Sequence, residues 1–342
     1  MPAYAPIVHD HSLVSLNTFR IPARARHYLR VNSAAELDAV RCDPALAGLP
    51  RLVLGGGSNV LFTRDFDGIV LHMTGQGRQV LGEQAGYRLV RAQAGENWHA
   101  FVQWTLAQGF GGLENLSLIP GTVGAAPIQN VGAYGTETRD RFHSLTVYDM
   151  ASGTTRTLDA AACRFGYRDS IFKHPEGNAL VVLDVTFALP LAWTPNLRYA
   201  ELAQAVDAAG LAAPTPQEIG RIVEAIRRRK LPDPLEIGNA GSFFKNPVVS
   251  SAQCTELLAQ FPQLVHHAQP DGSQKLAAGW LIDQCGWKGK ALGAAGVYPK
   301  QALVLVNLGG ATGQDVVRLA GAIQADVAAR YGVQLEPEPV FI

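Results

Sequence analysis

The sequence predicts an α+β fold divided into more than one domain. Three observations carry that expectation. Through residue 190 extended segments outnumber helices and do not alternate with them one for one, as a doubly wound sheet would require. A glycine triplet at 55–57 joins two short apolar runs, giving strand, turn, strand rather than the strand, turn, helix of a dinucleotide fold. Pro232-Asp233-Pro234 then interrupts the chain directly after a helix, which suits a domain boundary. The 342 residues allow two or three domains. A chain that is 47% hydrophobic and 17% charged can build a sizeable core and is not disordered.

Taken in order, residues 17–31 read as an extended lead-in ending in a strand. Ser33 caps a short helix, with Glu36 completing a capping box. Leu52-Val53-Leu54 reads as a short buried strand, followed by Gly55-Gly56-Gly57-Ser58-Asn59 and a second strand at Val60-Leu61-Phe62. Two readings of this turn stand together: a phosphate-binding β-turn and a plain tight hairpin. Residues 87–94 read as a strand. Asn97 caps the next helix, where Trp98, Phe101, Val102, Thr105 and Leu106 fall on one face at helical spacing. His99 lies off that face, reads as solvated and receives no role.

Residues 111–137 hold six glycines, Pro120 and Pro127, and no lysine or arginine. Glycine and proline exclude a long helix, and the stretch is too apolar for a solvated linker. Glycines at 121, 124, 132 and 135 permit positive φ and close approach of a ligand to the main chain. Backbone N–H groups without side-chain cations suit a cradled phosphate or pyrophosphate; a packed core loop is the alternative.

Strands follow at about 144–149 and 180–187. Thr215, Pro216 and Glu218 open a helix whose stripe is Ile219, Ile222, Val223 and Ile226. It ends in Arg227-Arg228-Arg229-Lys230. Cations there favour the helix dipole, and phosphate binding by one or two is the other reading. Helices are expected at 251–260, 275–285 and 313–330, the last capped by Thr312 with Asp315, and a strand at 302–307. Ser242 is not inside GxSxG, so a hydrolase elbow is not supported.

Composition also excludes functions. A formal net charge of zero disfavours a general nucleic-acid binder. No apolar run reaches the roughly 18 residues of a membrane helix, and the N-terminal residues do not read as a signal peptide. Cys42, Cys163, Cys254 and Cys285 are far apart, suggest neither zinc nor disulfides, and fit a reducing cytoplasm.

Several long stretches together resemble one family, the UDP-N-acetylenolpyruvoylglucosamine reductases (UDP-N-acetylmuramate dehydrogenases). They are NTFRI at 17–21, LGGGSNVLF at 54–62, AGENWH at 94–99 and GLENLSLIPGTVGAAPIQNVGAYG at 112–135. CRFGYRDSIFK at 163–173, KLPDP at 230–234, GNAGSFFKNPVVS at 238–250, DGSQKLAAGWLIDQCG at 271–286 and QALVLVN at 301–307 complete the set. The section around Tyr199 resembles the longer form of the family, with a tyrosine loop over the substrate.

The resemblance implies an FAD-binding fold of the vanillyl-alcohol-oxidase (PCMH) type and a smaller α+β substrate-binding domain. The implied bounds are 17–192 for the FAD region, 193–231 for a connector with the tyrosine loop, 232–332 for the substrate domain, and 333–342 for a terminal segment returning to the active site. FAD pyrophosphate would lie on Gly55, Gly56, Gly57, Ser58 and Asn59 and on the backbone of Gly121, Thr122, Gly124, Ala125 and Ala126. No histidine or cysteine lies inside these stretches, so the FAD is expected to be non-covalent, and no metal is expected. NADPH would give hydride to the flavin, which would pass it to the vinyl carbon of UDP-N-acetylglucosamine enolpyruvate in cytoplasmic peptidoglycan synthesis. Arg168 resembles the arginine that polarises the carboxylate, and Glu338 the acid that stabilises the same enol-like intermediate. Ser242 resembles the proton donor. Lys230 and Asn246 resemble residues holding the nucleotide phosphates, and Tyr199 the loop tyrosine. Gln301 and Tyr167 would line the substrate pocket. Glu336 competes with Glu338, being two residues away on an extended segment; Pro339-Val340 and the stop at Ile342 also depart from the family's pattern. No nucleic acid, membrane or obligate protein partner is implied.

Overall fold

The computed structural model describes residues 4–342. They form two compact units drawn across the chain: residues 4–11, 25–57 and 67–229 make the first, and 12–24, 58–66 and 230–342 the second. The division passes between Gly57 and Ser58, inside the glycine turn.

The first unit contains a four-stranded sheet in the order Val8–Ser12, Arg24–Val31, Phe66–Met73, Arg51–Leu54. Against it packs the helix Ala34–Cys42, burying Leu37 and Val40 with Leu29, Val31, Ile69 and Leu71. Ser33 caps this helix as expected, but the Glu36 carboxylate takes the N–H of Asn32 rather than of Ser33. Arg51–Leu54 runs parallel to Phe66–Met73, while Val60–Leu61 runs parallel to Val340–Phe341. The strands on either side of the glycine turn therefore do not pair, which rules out the hairpin. The first is not fully buried either: Leu54 is in the core and Val53 is 42% exposed, because only one face of this edge strand is covered.

A five-stranded antiparallel sheet follows, ordered Thr154–Asp159, Phe142–Asp149, Leu180–Pro190, Tyr87–Gln93, Arg78–Gln84. The helix Trp98–Ala107 buries the predicted stripe beside it, with Trp98, Phe101 and Phe187 in mutual ring contact. Burying each such ring is worth about 2–3 kcal/mol. The helices Ala200–Ala208 and Pro216–Lys230 share a smaller core of Leu202, Val206, Ile219, Val223 and Ile226.

The second unit has an antiparallel sheet ordered Gly238–Ser242, Val304–Asn307, Ala295–Val297, Ala291–Leu292. The helix Gly313–Tyr331 packs on this sheet, and Thr312 and Asp315 form its capping box. Gly313 is required, since a Cβ there would overlap the Phe62 carbonyl. Val248–Val249, Gln274–Leu276 and His266–Ala268 form a small sheet. The helix expected over 275–285 is shortened to Ala278–Gln284 because Gln274–Leu276 pairs as a strand. The expected strand at 302–307 begins at Val304.

Candidate active site

Within the first unit the two glycine-rich stretches meet. A Cβ on Gly55 would collide with the Thr122 hydroxyl, and one on Gly56 would stand 2.9 Å from Gly121 Cα. Only glycines allow this approach. Gly57 and Gly121 have φ of 61° and 115°, the left-handed values a residue with a side chain resists.

The structure also narrows the expected cradle. Val123 and Gly124 donate their N–H groups to Glu96 O and Ala94 O, both at 2.9 Å. Ala125 and Ala126 donate to Thr122 O and Val123 O in a short 3-10 turn. Four amides in the 121–126 stretch are thus committed to the protein. Of the residues expected to hold pyrophosphate there, Gly124, Ala125 and Ala126 have their amides bonded within the protein, and a Cβ on Gly124 would stand 2.9 Å from Ala94 Cα. The donors of this stretch not committed to a backbone carbonyl are the amides of Gly121 and Thr122.

Arg168 sits in a two-residue turn closed by the bridge between Gly166 and Asp169, with φ 55°. Its guanidinium donates to Gly132 O at 2.9 Å and lies 5.4 Å from the Tyr167 ring centre. The fully buried Asn130 ties this turn to the glycine-rich segment, donating to Gly166 O and to Glu137, both at 2.9 Å, and accepting the Arg139 N–H at 3.0 Å. Ser170 adds a bond to Ile128 O at 2.6 Å. A cation is thereby fixed by backbone contacts on both flanks. Tyr199, 43% exposed, packs edge-on against Tyr134 with ring centres 5.0 Å apart.

Residues outside the expected set complete this region. His99, read as solvated, is partly buried, and its Nδ1 accepts the Leu118 N–H at 2.9 Å. Arg227, read mainly as a dipole cation, donates from Nε to Leu118 O at 3.3 Å. Burial pushes the Tyr134 hydroxyl up to about 12, although Arg227 opposes it. Periodicity hides both residues, because it reports which face is apolar and not what a polar residue on the rim touches.

In the second unit the C-terminal segment pairs with the residues following Ser242. Glu338 N–H donates to Phe243 O at 2.8 Å and Lys245 N–H to Glu336 O at 2.9 Å, around a bridge between Phe244 and Pro337. Glu338 is thus set opposite Phe243, the residue that follows Ser242. Ser242 is exposed at the end of its strand, after a register shift that includes Gly241 at φ 68°. Such a bulge re-aims a side chain. Buried Asn239 holds it, accepting the Gly241 N–H at 2.9 Å and donating to Ile237 O at 2.8 Å. Glu338 is 9% exposed, whereas the Glu336 side chain is 72% exposed and pairs with Lys245 at 2.9 Å. Two residues apart on an extended segment, the two acids differ in what covers them: Glu338 is buried, and Glu336 meets Lys245 at the surface.

Ser58 and Asn59 belong to this unit, unlike Gly55 to Gly57. Asn59 donates to Glu338 O at 3.2 Å and accepts the Val340 N–H at 3.0 Å, so it anchors the C-terminal segment. Asn246 accepts the Ala278 N–H at 3.0 Å, and the Gln301 carboxamide lies 3.3 Å from where a Gly279 Cβ would be. Both flank the start of the helix Ala278–Gln284. Lys230 is partly buried at the end of its helix. A cleft of about 380 Å³ lined by Arg20, Glu236 and Asn307 contains none of the expected residues.

An FAD binding domain family matches residues 25–159, and a family described as UDP-N-acetylenolpyruvoylglucosamine reductase, C-terminal domain, matches residues 233–342. UDP-N-acetylenolpyruvoylglucosamine reductase of Burkholderia cenocepacia (strain HI2424) is 58% identical over 338 residues, covering 98% of this chain and 97% of the relative. The same-named protein of Burkholderia multivorans is 56% identical over the same length. The crystal structure of UDP-N-acetylenolpyruvylglucosamine reductase from Thermus caldophilus shares the fold, with a TM-score of 0.67 at 24% identity over 98% of both chains.

The molecule is an FAD-binding oxidoreductase of α+β fold. It belongs to the UDP-N-acetylenolpyruvoylglucosamine reductase family.

Proposed function

We propose that this protein uses NADPH to reduce UDP-N-acetylglucosamine enolpyruvate to UDP-N-acetylmuramate, with the first unit holding FAD non-covalently and the second binding substrate. The observation that carries the reading is the pairing of the C-terminal segment with residues 243–245, directly after Ser242, in a chain 58% identical to a named reductase. The residues fit the cofactor: a turn that no Cβ can enter, positive φ at Gly57 and Gly121, and no cation between 111 and 137. The amides of Gly55, Gly56, Gly57, Gly121 and Thr122 would hold its pyrophosphate, with Ser58 and Asn59 supporting the turn. When bound, FAD supplies a two-electron carrier that accepts hydride from NADPH and delivers it to the substrate's vinyl carbon.

The chain's own side chains manage charge and protons. Arg168 holds the substrate carboxylate with a permanently cationic planar fork, where negative charge develops as the double bond is reduced. Glu338 donates a hydrogen bond to the same charge. Ser242 Oγ gives its proton to the carbon bearing the ether oxygen, and solvent at this exposed position restores it. Asn239 keeps Ser242 aimed through the bulge. Lys230 and Asn246 hold the nucleotide phosphates, Tyr199 closes over them, and Gln301 and Tyr167 line the pocket. The activity would serve cell-wall synthesis, and hence cell shape and division, in the cytoplasm, a compartment that four free cysteines fit.

The test is anaerobic spectroscopy of the purified protein. NADPH should bleach a flavin absorbance, and the enolpyruvyl sugar nucleotide should restore it. Flavin that NADPH does not bleach, or that only oxygen restores, would favour an oxidase of the same fold.

A further inference from the structure

Three residues ahead of Gly121, Leu118 adopts φ 58°. A bulky residue in the left-handed region is strained and persists only where its surroundings over-determine it. Here both of its backbone polar groups are held by side chains from two helices. His99 Nδ1 accepts the N–H at 2.9 Å, and Arg227 Nε donates to the carbonyl at 3.3 Å. Gln103 donates to Glu224 Oε1 at 3.0 Å, the oxygen that lies 3.8 Å from His99 Nε2, and Arg228 lies 3.6 Å from Glu224 Oε2. The next residues are Ile119, Pro120, which has no N–H, and Gly121.

We propose that His99 and Arg227 are positioning residues: by clamping Leu118 they aim the Gly121 and Thr122 amides at the FAD pyrophosphate, so that FAD affinity depends on a neutral His99. This rests on the FAD placement proposed above. An imidazole nitrogen that accepts a hydrogen bond carries no proton, so the single proton of neutral His99 is at Nε2, facing Glu224. Protonation would turn the acceptor into a second donor pointed at the Leu118 N–H. Burial is the main force holding His99 below the ordinary imidazole value; Arg228 and Arg227 add to it, and Glu224 opposes. The other group at the clamp is Tyr134, whose hydroxyl sits at about 12 and stays neutral, while Arg227 stays cationic although burial lowers it.

If bound FAD favours neutral His99, affinity is constant above the range in which the buried imidazole titrates, which lies lower than the ordinary one. It falls as pH drops through that range, by no more than about tenfold per pH unit for one linked proton.

The experiment is fluorescence titration of FAD into the full-length apoprotein at pH values from about 5.5 to 7.5, with circular dichroism confirming that the apoprotein stays folded. The wild type should weaken several-fold toward the acid end. His99→Asn, which keeps an acceptor that does not titrate, should bind nearly as tightly at about pH 7.5 and lose the pH dependence. His99→Leu, which leaves the Leu118 N–H unsatisfied, should weaken binding about fivefold or more at every pH. Wild-type affinity in His99→Leu, or wild-type pH dependence in His99→Asn, overturns the clamp. Gly56→Ala separates the two ideas. If it leaves affinity unchanged, the FAD placement fails; if it weakens binding while His99→Leu does not, the clamp alone fails.

Discussion

Adding one methyl group at position 56 tests whether the meeting of the two glycine-rich stretches sets cofactor affinity. In Gly56→Ala the new Cβ would stand 2.9 Å from Gly121 Cα and 3.3 Å from its carbonyl carbon. Both atoms are backbone, so no rotamer change relieves the contact. Reaching an ordinary 3.4 Å from 2.9 Å requires the two glycine-rich stretches to separate by about 0.5 Å. Overpacking of this kind costs about 1–3 kcal/mol. Borne by the geometry of the FAD amides, that becomes a loss of about 5- to 150-fold in FAD affinity, since 1.4 kcal/mol is a factor of ten. Fluorescence titration of the apoprotein reads the affinity, and thermal unfolding without FAD separates it from stability. Gly321→Ala is the control: it sits within the helix Gly313–Tyr331 with nothing inside 4 Å of the added Cβ. The reasoning fails if Gly56→Ala binds FAD as tightly as the wild type.

Gly321→Ala itself should raise stability by about 0.5–1 kcal/mol, measured by chemical denaturation, because alanine loses less chain entropy in a helix. Glu338→Ala should lower kcat strongly, while Glu336→Ala, which breaks a mostly exposed pair with Lys245, should leave kcat unchanged and alter stability by less than about 1 kcal/mol. The opposite order in steady-state assays would return the role to Glu336. Arg168→Lys keeps the charge and loses the planar fork; kcat should fall by about 10²- to 10³-fold with NADPH oxidation by the flavin little affected.

Local rules made much of the fold legible. The caps at Ser33, Asn97, Thr215 and Thr312 formed as their residue types dictate. The stripe from Trp98 to Leu106 is buried because helical spacing leaves it no alternative. The family motifs made the family legible, since they recur in order along nearly the whole chain. What stayed hidden depends on contacts distant in sequence. Glu336 and Glu338 are alike in the chain and differ in what surrounds them: Glu336 meets Lys245 at the surface, while Glu338 is buried. Nothing in the run GTVGAA reveals that Val123 and Gly124 lend their amides to Glu96 and Ala94. His99 looked idle because its partner is a backbone N–H 19 residues away, which no side-chain pattern reports. The split at Gly57 and Ser58 was hidden too, since the turn is one motif in sequence and belongs to two units in space.

The most direct measurement follows the two half-reactions of Ser242→Ala by anaerobic stopped-flow absorbance. Bleaching by NADPH should keep its wild-type rate, and recolouring by the enolpyruvyl sugar nucleotide should slow by about 10²- to 10⁴-fold, as expected for loss of a positioned proton donor. Equal slowing of both phases, or recolouring at the wild-type rate, would contradict the assignment of Ser242 as the group that delivers the proton.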